Sequence, residues 1–265
     1  MHKEALSRML YAVKEHKPGV LLVGSYGTGK TLLSRSLAKE CSSDKYKVVS
    51  ITNPRLSPLE LLAEINYQLG APFDPSRSLV KIDLLHSLSK LLEDNYIKGI
   101  FTVIIVDEAQ SIENNGLMEE LRLLLNIQHD DAVLFTLCIL GQPTILEVIE
   151  AIPQFKQRLL VRFRLKALDL EQTKKYIQHR IEIAGLRRDI FTDSAYEQIF
   201  DLSEGIPRSI NNICDIALLS GYIKNIDSID KEIVIDVFED LEHDYKNLIQ
   251  KDNSHNGLLP NIQKT

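Results

Sequence analysis

Eight residues, Gly24-Ser25-Tyr26-Gly27-Thr28-Gly29-Lys30-Thr31, constrain this chain more than any others of its 265. They satisfy the pattern G-x-x-x-x-G-K-[ST] in full, and their flanks have the right character. Before them, Gly19-Val20-Leu21-Leu22-Val23 predicts a short buried strand; after them, Thr31 to Ala38 predicts a helix. Strand, glycine loop and helix together form a cradle for phosphate. The glycines let main-chain N–H groups converge on anionic oxygens, and the helix adds its positive dipole end. In such a cradle Lys30 faces the β- and γ-phosphates and the Thr31 hydroxyl ligates Mg²⁺, while Leu32 lies in the first helical turn with its N–H free. The alternative, an ordinary Gly-rich turn, does not account for the strand and helix on either side.

The length suits one core domain with a smaller companion. No run is long and uncharged enough for a membrane span; Ala132 to Leu140 is strand-sized. The N-terminus lacks the apolar core of a secretory signal. Three scattered cysteines, Cys41, Cys138 and Cys214, point to a reducing compartment and to core packing, not to a disulfide framework or a zinc site. These features predict a cytoplasmic protein, with the periphery of an inner membrane as a second location. A net charge of −6 argues against a surface that grips nucleic acid everywhere, though Lys156, Arg158, Arg162, Arg164 and Lys166 form a basic cluster.

Along the chain, His2 to His16 reads as a helix and Tyr46 to Ile51 as a second strand. Ser57-Pro58-Leu59-Glu60 reads as a capping box opening a helix that Gly70 stops. A further helix covers about 80–95. Phe101 to Val106 is a nearly continuous apolar run, as a central parallel strand covered on both faces requires. A helix over 116–126 leads to a fourth strand, Ala132 to Leu140; helical residues from Ile145 to Ile152 lead to a fifth, Val161 to Leu165. Strands alternating with helices predict an α/β fold, a five-stranded parallel sheet with helices on both faces. Beyond Ala167 only helices are predicted: Asp169–Ala184, Thr192–Leu202, Pro207–Ile223 and Asp230–Glu242. The expected division is an α/β domain over 1–167, a small all-helical lid over 168–245 and a disordered tail over 246–265.

Asp107-Glu108, at the carboxyl end of the third strand, is the second strong signal. Ligands of open α/β sheets bind beyond the carboxyl ends of the strands, so the phosphate loop and these acids share one edge. There Asp107 suits the Mg²⁺ shell, and Glu108 suits orienting or deprotonating an attacking water. The alternative is a pair of solvated acids at a strand end. A GTPase-type Asp-x-x-Gly switch and Asn-Lys-x-Asp base reader are not arranged here, and a small-molecule kinase does not need a water-activating Glu. ATP hydrolysis is the expected chemistry.

The whole pattern resembles the AAA+ class of P-loop ATPases, and within it the ExeA/GspA-type secretion ATPases, with MshM-type pilus proteins close by. The resemblance runs from His2 to about Leu219. It is carried by His2-x-Glu4-Ala5-Leu6, Asn53-Pro54, Asp107-Glu108-Ala109-Gln110, Glu120-Leu121-Arg122-Leu123-Leu124, Leu140-Gly141-Gln142-Pro143, Gln157-Arg158 and Gly205-Ile206-Pro207-Arg208-Ser209-Ile210-Asn211. It implies three further roles. Gln142 falls where the class places a polar sensor of the γ-phosphate, or is simply a turn residue before Pro143. Arg208 falls where a lid arginine contacts the bound phosphates, or is a surface arginine. Arg158 falls where a finger for the neighbouring subunit's nucleotide is carried, with Arg162 and Arg164 as alternatives that otherwise cover the sheet edge. Asn53 remains open between a turn role and a nucleotide contact.

The resemblance implies self-association with ATP between subunits, in a hexamer or filament, and protein partners in a secretion or type IV pilus system. It carries over neither the transmembrane helix nor the cell-wall-binding region of larger relatives. A Pro- and Phe-rich segment that precedes the His-x-Glu-Ala-Leu element in relatives has no counterpart here, as expected of a shortened relative or a trimmed chain. The second expectation is a DNA-binding regulatory ATPase for transposition target selection, like TniB and MuB-like proteins; a slowly hydrolysing scaffold is a third.

Overall fold

Strand residues alternate sides, and here both sides are apolar. The computed structural model describes residues 1–72, 79–112 and 115–240, and in it β1 (Gly19–Gly24) sends Val20 and Leu22 to one face of a sheet and Leu21 and Val23 to the other. β3 (Phe101–Val106) divides Val103 and Ile105 from Ile104 and Val106 in the same way. Both strands are buried along their whole length, as central strands of a doubly covered sheet must be.

The first layer of helices, α1 (His2–Lys14) and α2 (Lys30–Glu40), covers one face with Ala5, Met9, Leu33 and Leu37. The opposite face is covered by α3 (Pro58–Leu69), α4 (Lys81–Ile97), α5 (Asn115–Leu124), α6 (Ile145–Glu150) and α7 (Pro153–Arg158), which bury Leu61, Ile65, Leu88, Leu121, Ile149 and Phe155. Each fully buried leucine in these layers contributes about 1.5–3 kcal/mol. The predicted capping box on α3 is present: the Ser57 hydroxyl accepts the Glu60 N–H and the Glu60 carboxylate accepts the Ser57 N–H at 2.7 Å. Gly70 ends that helix at φ 101°.

The sheet holds five parallel strands in the order β2 (Tyr46–Ile51), β3, β6 (Phe135–Gly141), β1, β7 (Leu159–Leu165). This is the predicted fold, with two corrections. The helical residues expected from Ile145 to Ile152 end at Glu150, and a separate short helix, α7, follows from Pro153 to Arg158. The expected fourth strand, Ala132 to Leu140, is two pieces. Ala132–Val133 (β5) pairs antiparallel with Gln128–His129 (β4), and β6 starts only at Phe135. Asp130 and Asp131, at φ 46° and 64°, make the tight turn between β4 and β5, a conformation that short Asp side chains tolerate.

The chain divides into two compact units between Lys166 and Ala167. The second contains α8 (Leu170–Ile183), α9 (Asp193–Ser203), α10 (Pro207–Ile223) and helical residues 231–240. Asp169 caps α8 by accepting the Gln172 N–H at 2.8 Å, and Thr192 caps α9 by accepting that of Ala195. Ile177, Tyr196, Ile199, Ile210, Ile213 and Val234 are its buried core. Gly205 has no substitute: a Cβ there would sit 1.9 Å from the Leu168 carbonyl oxygen, at φ +68°. One parallel bridge, Phe191 to Ile229, departs from the helices-only expectation. The predicted tail over 246–265, and the end of the last predicted helix, lie outside the described residues.

Candidate active site

Parallel pairing sets the carboxyl ends of β3, β6 and β1 side by side. In register, Val23 faces Gly141 and Val106 faces Ile139. The loop after β1, the Gly141-Gln142 turn after β6 and Asp107-Glu108 after β3 therefore share one edge.

The loop over Gly24 to Gly29 is shaped by its glycines. Gly27 and Gly29 sit at φ 80° and 96°, and a Cβ on Gly24 would lie 2.6 Å from the Thr28 hydroxyl oxygen. That hydroxyl donates to the Ser25 carbonyl at 2.7 Å, closing the loop on itself. His2, in the first turn of α1, holds it from outside, with Nε2 2.6 Å from the Thr28 carbonyl oxygen. Among the described residues, the backbone N–H groups of Gly27, Gly29, Lys30, Thr31 and Leu32 find no hydrogen-bond acceptor. Unpaired N–H groups at a glycine loop and helix start suit a polyphosphate. Lys30 is only 4% exposed and donates to the Gly24 and Ser25 carbonyls at 3.0 and 3.1 Å. Burial pulls its pKa below the ordinary 10.5, against the opposing pull of Glu108 and Asp107.

Asp107 is 3% exposed and already oriented. Its Oδ1 accepts the Glu108 N–H at 2.9 Å, and its Oδ2 lies 3.3 Å from the Ser34 hydroxyl, which also lies 2.9 Å from the Thr31 carbonyl oxygen. Among the described residues no cluster of three His, Cys, Asp or Glu side chains could hold a metal by itself. One carboxylate with one hydroxyl, Asp107 with Thr31, fits instead the way Mg²⁺ is held beside phosphates, which supply the other oxygens. Glu108 follows at φ 53°, so the chain turns sharply and Ala109–Ser111 forms one 3-10 turn. Gln110 in that turn donates Nε2 to Glu108 Oε2 at 2.5 Å and accepts the Gln142 N–H on Oε1 at 2.9 Å.

The first unit thus gathers Gly24 to Leu32, Asp107, Glu108 and Gln142 at one edge. Arg158 ends α7, and because Gly19 pairs with Leu159, it lies at the amino end of β1. Five residues of strand, about 17 Å at roughly 3.3 Å each, separate that level from the start of the chain's own phosphate loop. Arg162 is tied to backbone, Nε donating to the Leu159 carbonyl at 2.8 Å and the guanidinium also to that of Lys156. Arg164 is exposed on the edge strand β7. Arg208 belongs to the second unit, exposed in the first turn of α10. Asn53 Oδ1 accepts the Arg55 N–H at 3.4 Å, a local turn bond. The three cysteines are buried free thiols; burial pushes Cys41 up to about 11 and Cys214 up to about 12.

Sequence reasoning passed over three residues of this edge. Ser34 sits one helical turn past Thr31 on the same face, a spacing that would have found it. His2 and Gln110 stood inside quoted segments, but nothing local tells that His2 reaches a loop 26 residues on, or Gln110 a turn 32 residues on.

A parallel sheet bearing this loop and these acids defines the P-loop nucleoside-triphosphatase architecture. A family model described as an AAA domain matches residues 13–149, and the chain belongs to that family. It resembles General secretion pathway protein A of Aeromonas hydrophila, at 35% identity over 228 residues, 84% of this chain and 40% of that protein. The chain thus spans 40% of that relative's length. Solved structures that share the fold include the Aeropyrum pernix ORC2 protein in its ADPNP–ADP complexes (TM-score 0.66, 22% identity, 88% of this chain, 66% of that chain) and the Thermotoga maritima RuvB Holliday junction branch migration motor (TM-score 0.60, 20% identity, 89% and 68%).

Proposed function

We propose that this chain binds ATP with Mg²⁺ and hydrolyses it, as a motor or assembly factor of a protein secretion or type IV pilus system. One observation carries the chemistry: unpaired N–H donors, the buried Lys30 and the acids Asp107 and Glu108 meet at one sheet edge. Gly24 to Leu32 cradle the phosphates, and Lys30 turns its charge from backbone carbonyls to the β- and γ-phosphates. Thr31 and Asp107 would hold Mg²⁺, whose charge would draw electrons from the γ-phosphate. Glu108 accepts a proton from water as its oxygen bonds to the γ-phosphorus and the bond to the β-phosphate oxygen breaks, giving ADP and phosphate. Gln142 senses the γ-phosphate from the adjoining turn, and Arg208, in the first turn of α10, ties the second unit to nucleotide state.

Arg158, at the far end of β1, serves the nucleotide of a neighbouring subunit in a hexamer or filament. The secretion reading draws on the likeness to General secretion pathway protein A. No helix among the described residues is long and apolar enough to cross a membrane, and we place the protein in the cytoplasm, peripheral to the inner membrane when at work. In the basic cluster Lys156 pairs with Glu150, which leaves one fewer unpaired cation for the DNA-binding alternative.

Phosphate release decides both levels. Glu108→Gln should cut it at least about a hundredfold while nucleotide still binds. Stimulation of the wild type by membrane or pilus extracts supports the secretion reading; stimulation by duplex DNA alone overturns it in favour of the regulatory ATPase.

A further inference from the structure

Glu108 stands on a backbone that fixes where its Cα is, not where its carboxylate points. The side chain has three rotatable bonds, and each rotamer aims it elsewhere. The structure supplies one restraint. Gln110 lies in the tight turn that Glu108 opens, where the Ser111 N–H and hydroxyl both donate to the Glu108 carbonyl at 2.8 Å. This turn returns the Gln110 amide to the Glu108 carboxylate, 2.5 Å from Oε2. The other end of the same amide accepts the Gln142 N–H at 2.9 Å. The chemistry of the partners sets the orientation of the amide, because the carboxylate needs a donor and the N–H an acceptor. The space is close: a Cβ on Gly141 would lie 3.4 Å from Gln110 Oε1 and 3.2 Å from Ile145 Cγ2. Glu108 Oε1 accepts no hydrogen bond from any described residue.

We infer that Gln110 is a positioning residue for hydrolysis, acting through Glu108. This rests on the proposed role of Glu108 as proton acceptor. The amide anchors Oε2 with a charge-assisted bond and leaves Oε1 to take the proton from water. Its second bond makes the position of Glu108 depend on the Gly141-Gln142 turn, so the γ-phosphate sensor and the base move as one piece. A carboxylate released from this brace spends less time in the reactive geometry, and misplacement of about an ångström costs up to a hundredfold.

The test compares wild type, Gln110→Met, Gln110→Glu, Glu108→Gln and the double variant Glu108→Gln with Gln110→Met, by steady-state phosphate release and by binding of a fluorescent ATP analogue. Met keeps the length of the side chain without the amide; Glu keeps its shape but sets a carboxylate against a carboxylate. Both single variants at 110 should lose about tenfold to a hundredfold in kcat, with KM and analogue affinity within about threefold of wild type. The double variant should be no slower than Glu108→Gln alone, because the brace has nothing left to hold. A wild-type kcat in Gln110→Met or Gln110→Glu, beside a Glu108→Gln variant that has lost turnover, overturns the inference and leaves the proposed function standing. Loss of analogue affinity along with turnover, or a double variant slower than Glu108→Gln alone, also overturns it, since Gln110 would then serve more than Glu108. Full turnover in Glu108→Gln sinks the proposed function itself, and this inference with it.

Discussion

The two ends of the central sheet are built from the same strands and differ in how their polar groups are treated. At the amino end, several polar atoms close on each other. The Thr136 hydroxyl donates to the Lys17 carbonyl at 2.7 Å, Leu137 N–H to the Pro18 carbonyl at 3.0 Å, and His16 stacks on Phe101. At the carboxyl end, a lysine is buried with its pKa lowered, and N–H groups of a loop and a helix start lack partners. Buried polar groups are costly unless paired. That cost falls on Lys30 at the carboxyl end and on the Thr102 hydroxyl, partnerless among the described residues, at the amino end. Of the two, the carboxyl end alone sets a buried cation beside a run of unpaired N–H donors, the combination that suits an anionic ligand.

The largest effect expected from this contrast is at Lys30. Lys30→Met should lower phosphate release and nucleotide affinity more than about a hundredfold, yet leave the nucleotide-free protein as stable as before or more so. The sign with pH follows from the lowered pKa. The unfolded chain holds the Lys30 proton more tightly than the folded one. Stability of the nucleotide-free protein therefore rises as pH climbs through the lowered value towards 10.5. Denaturant titrations at alkaline pH should show that rise in wild type and its absence in Lys30→Met; an unchanged slope in the variant would break the contrast.

Two glycines of β1 provide a matched pair. A Cβ at Gly24 meets the Thr28 hydroxyl at 2.6 Å, whereas one at Gly19 meets the Leu159 side chain at 2.8 Å and the Arg158 carbonyl at 3.0 Å. Both alanine variants should lose about 1–3 kcal/mol of stability through overpacking. Only Gly24→Ala should also lose nucleotide affinity, by tenfold or more on the order of one displaced phosphate contact. Thermal melts beside equilibrium binding distinguish the two, and equal losses of affinity would refute the division between the ends.

The smallest effects come from single hydrogen bonds. His2→Ala removes the outer brace on Thr28 and should weaken nucleotide binding by about two- to tenfold, the worth of one net hydrogen bond. Thr136→Val, its counterpart at the amino end, should cost about 1 kcal/mol of stability and leave affinity unchanged. Isothermal titration calorimetry with differential scanning on each variant checks both.

Much of this was legible from residues alone where the signal is local. The boundaries of β2 and β3, the capping box at Ser57-Pro58-Leu59-Glu60 and the stop at Gly70 follow from alternation, apolar runs and cap chemistry. The hairpin at Gln128–Val133 was missed because Ala132 to Leu140 reads as one apolar run, while its break depends on two aspartates at positive φ. At the site, the placement of Gly24 to Thr31 and Asp107-Glu108 on one sheet edge was readable because each follows an apolar strand of a parallel sheet. His2, Gln110 and Ser34 act on groups that only the folded chain brings near. Ser34, for example, meets Asp107 across 73 positions of sequence.

Local spacing by itself determined the strand–loop–helix unit at Gly19 to Ala38, the apolar strand ending in Asp107-Glu108 and the alternation that makes an α/β chain. Those patterns need only neighbours three or four positions away. The tertiary structure alone decided that β6 lies between β1 and β3, setting Gln142 and Gln110 between loop and acids and Arg158 at the other end. Strand order is a matter of which distant faces bury each other best, and no short stretch of residues contains that information.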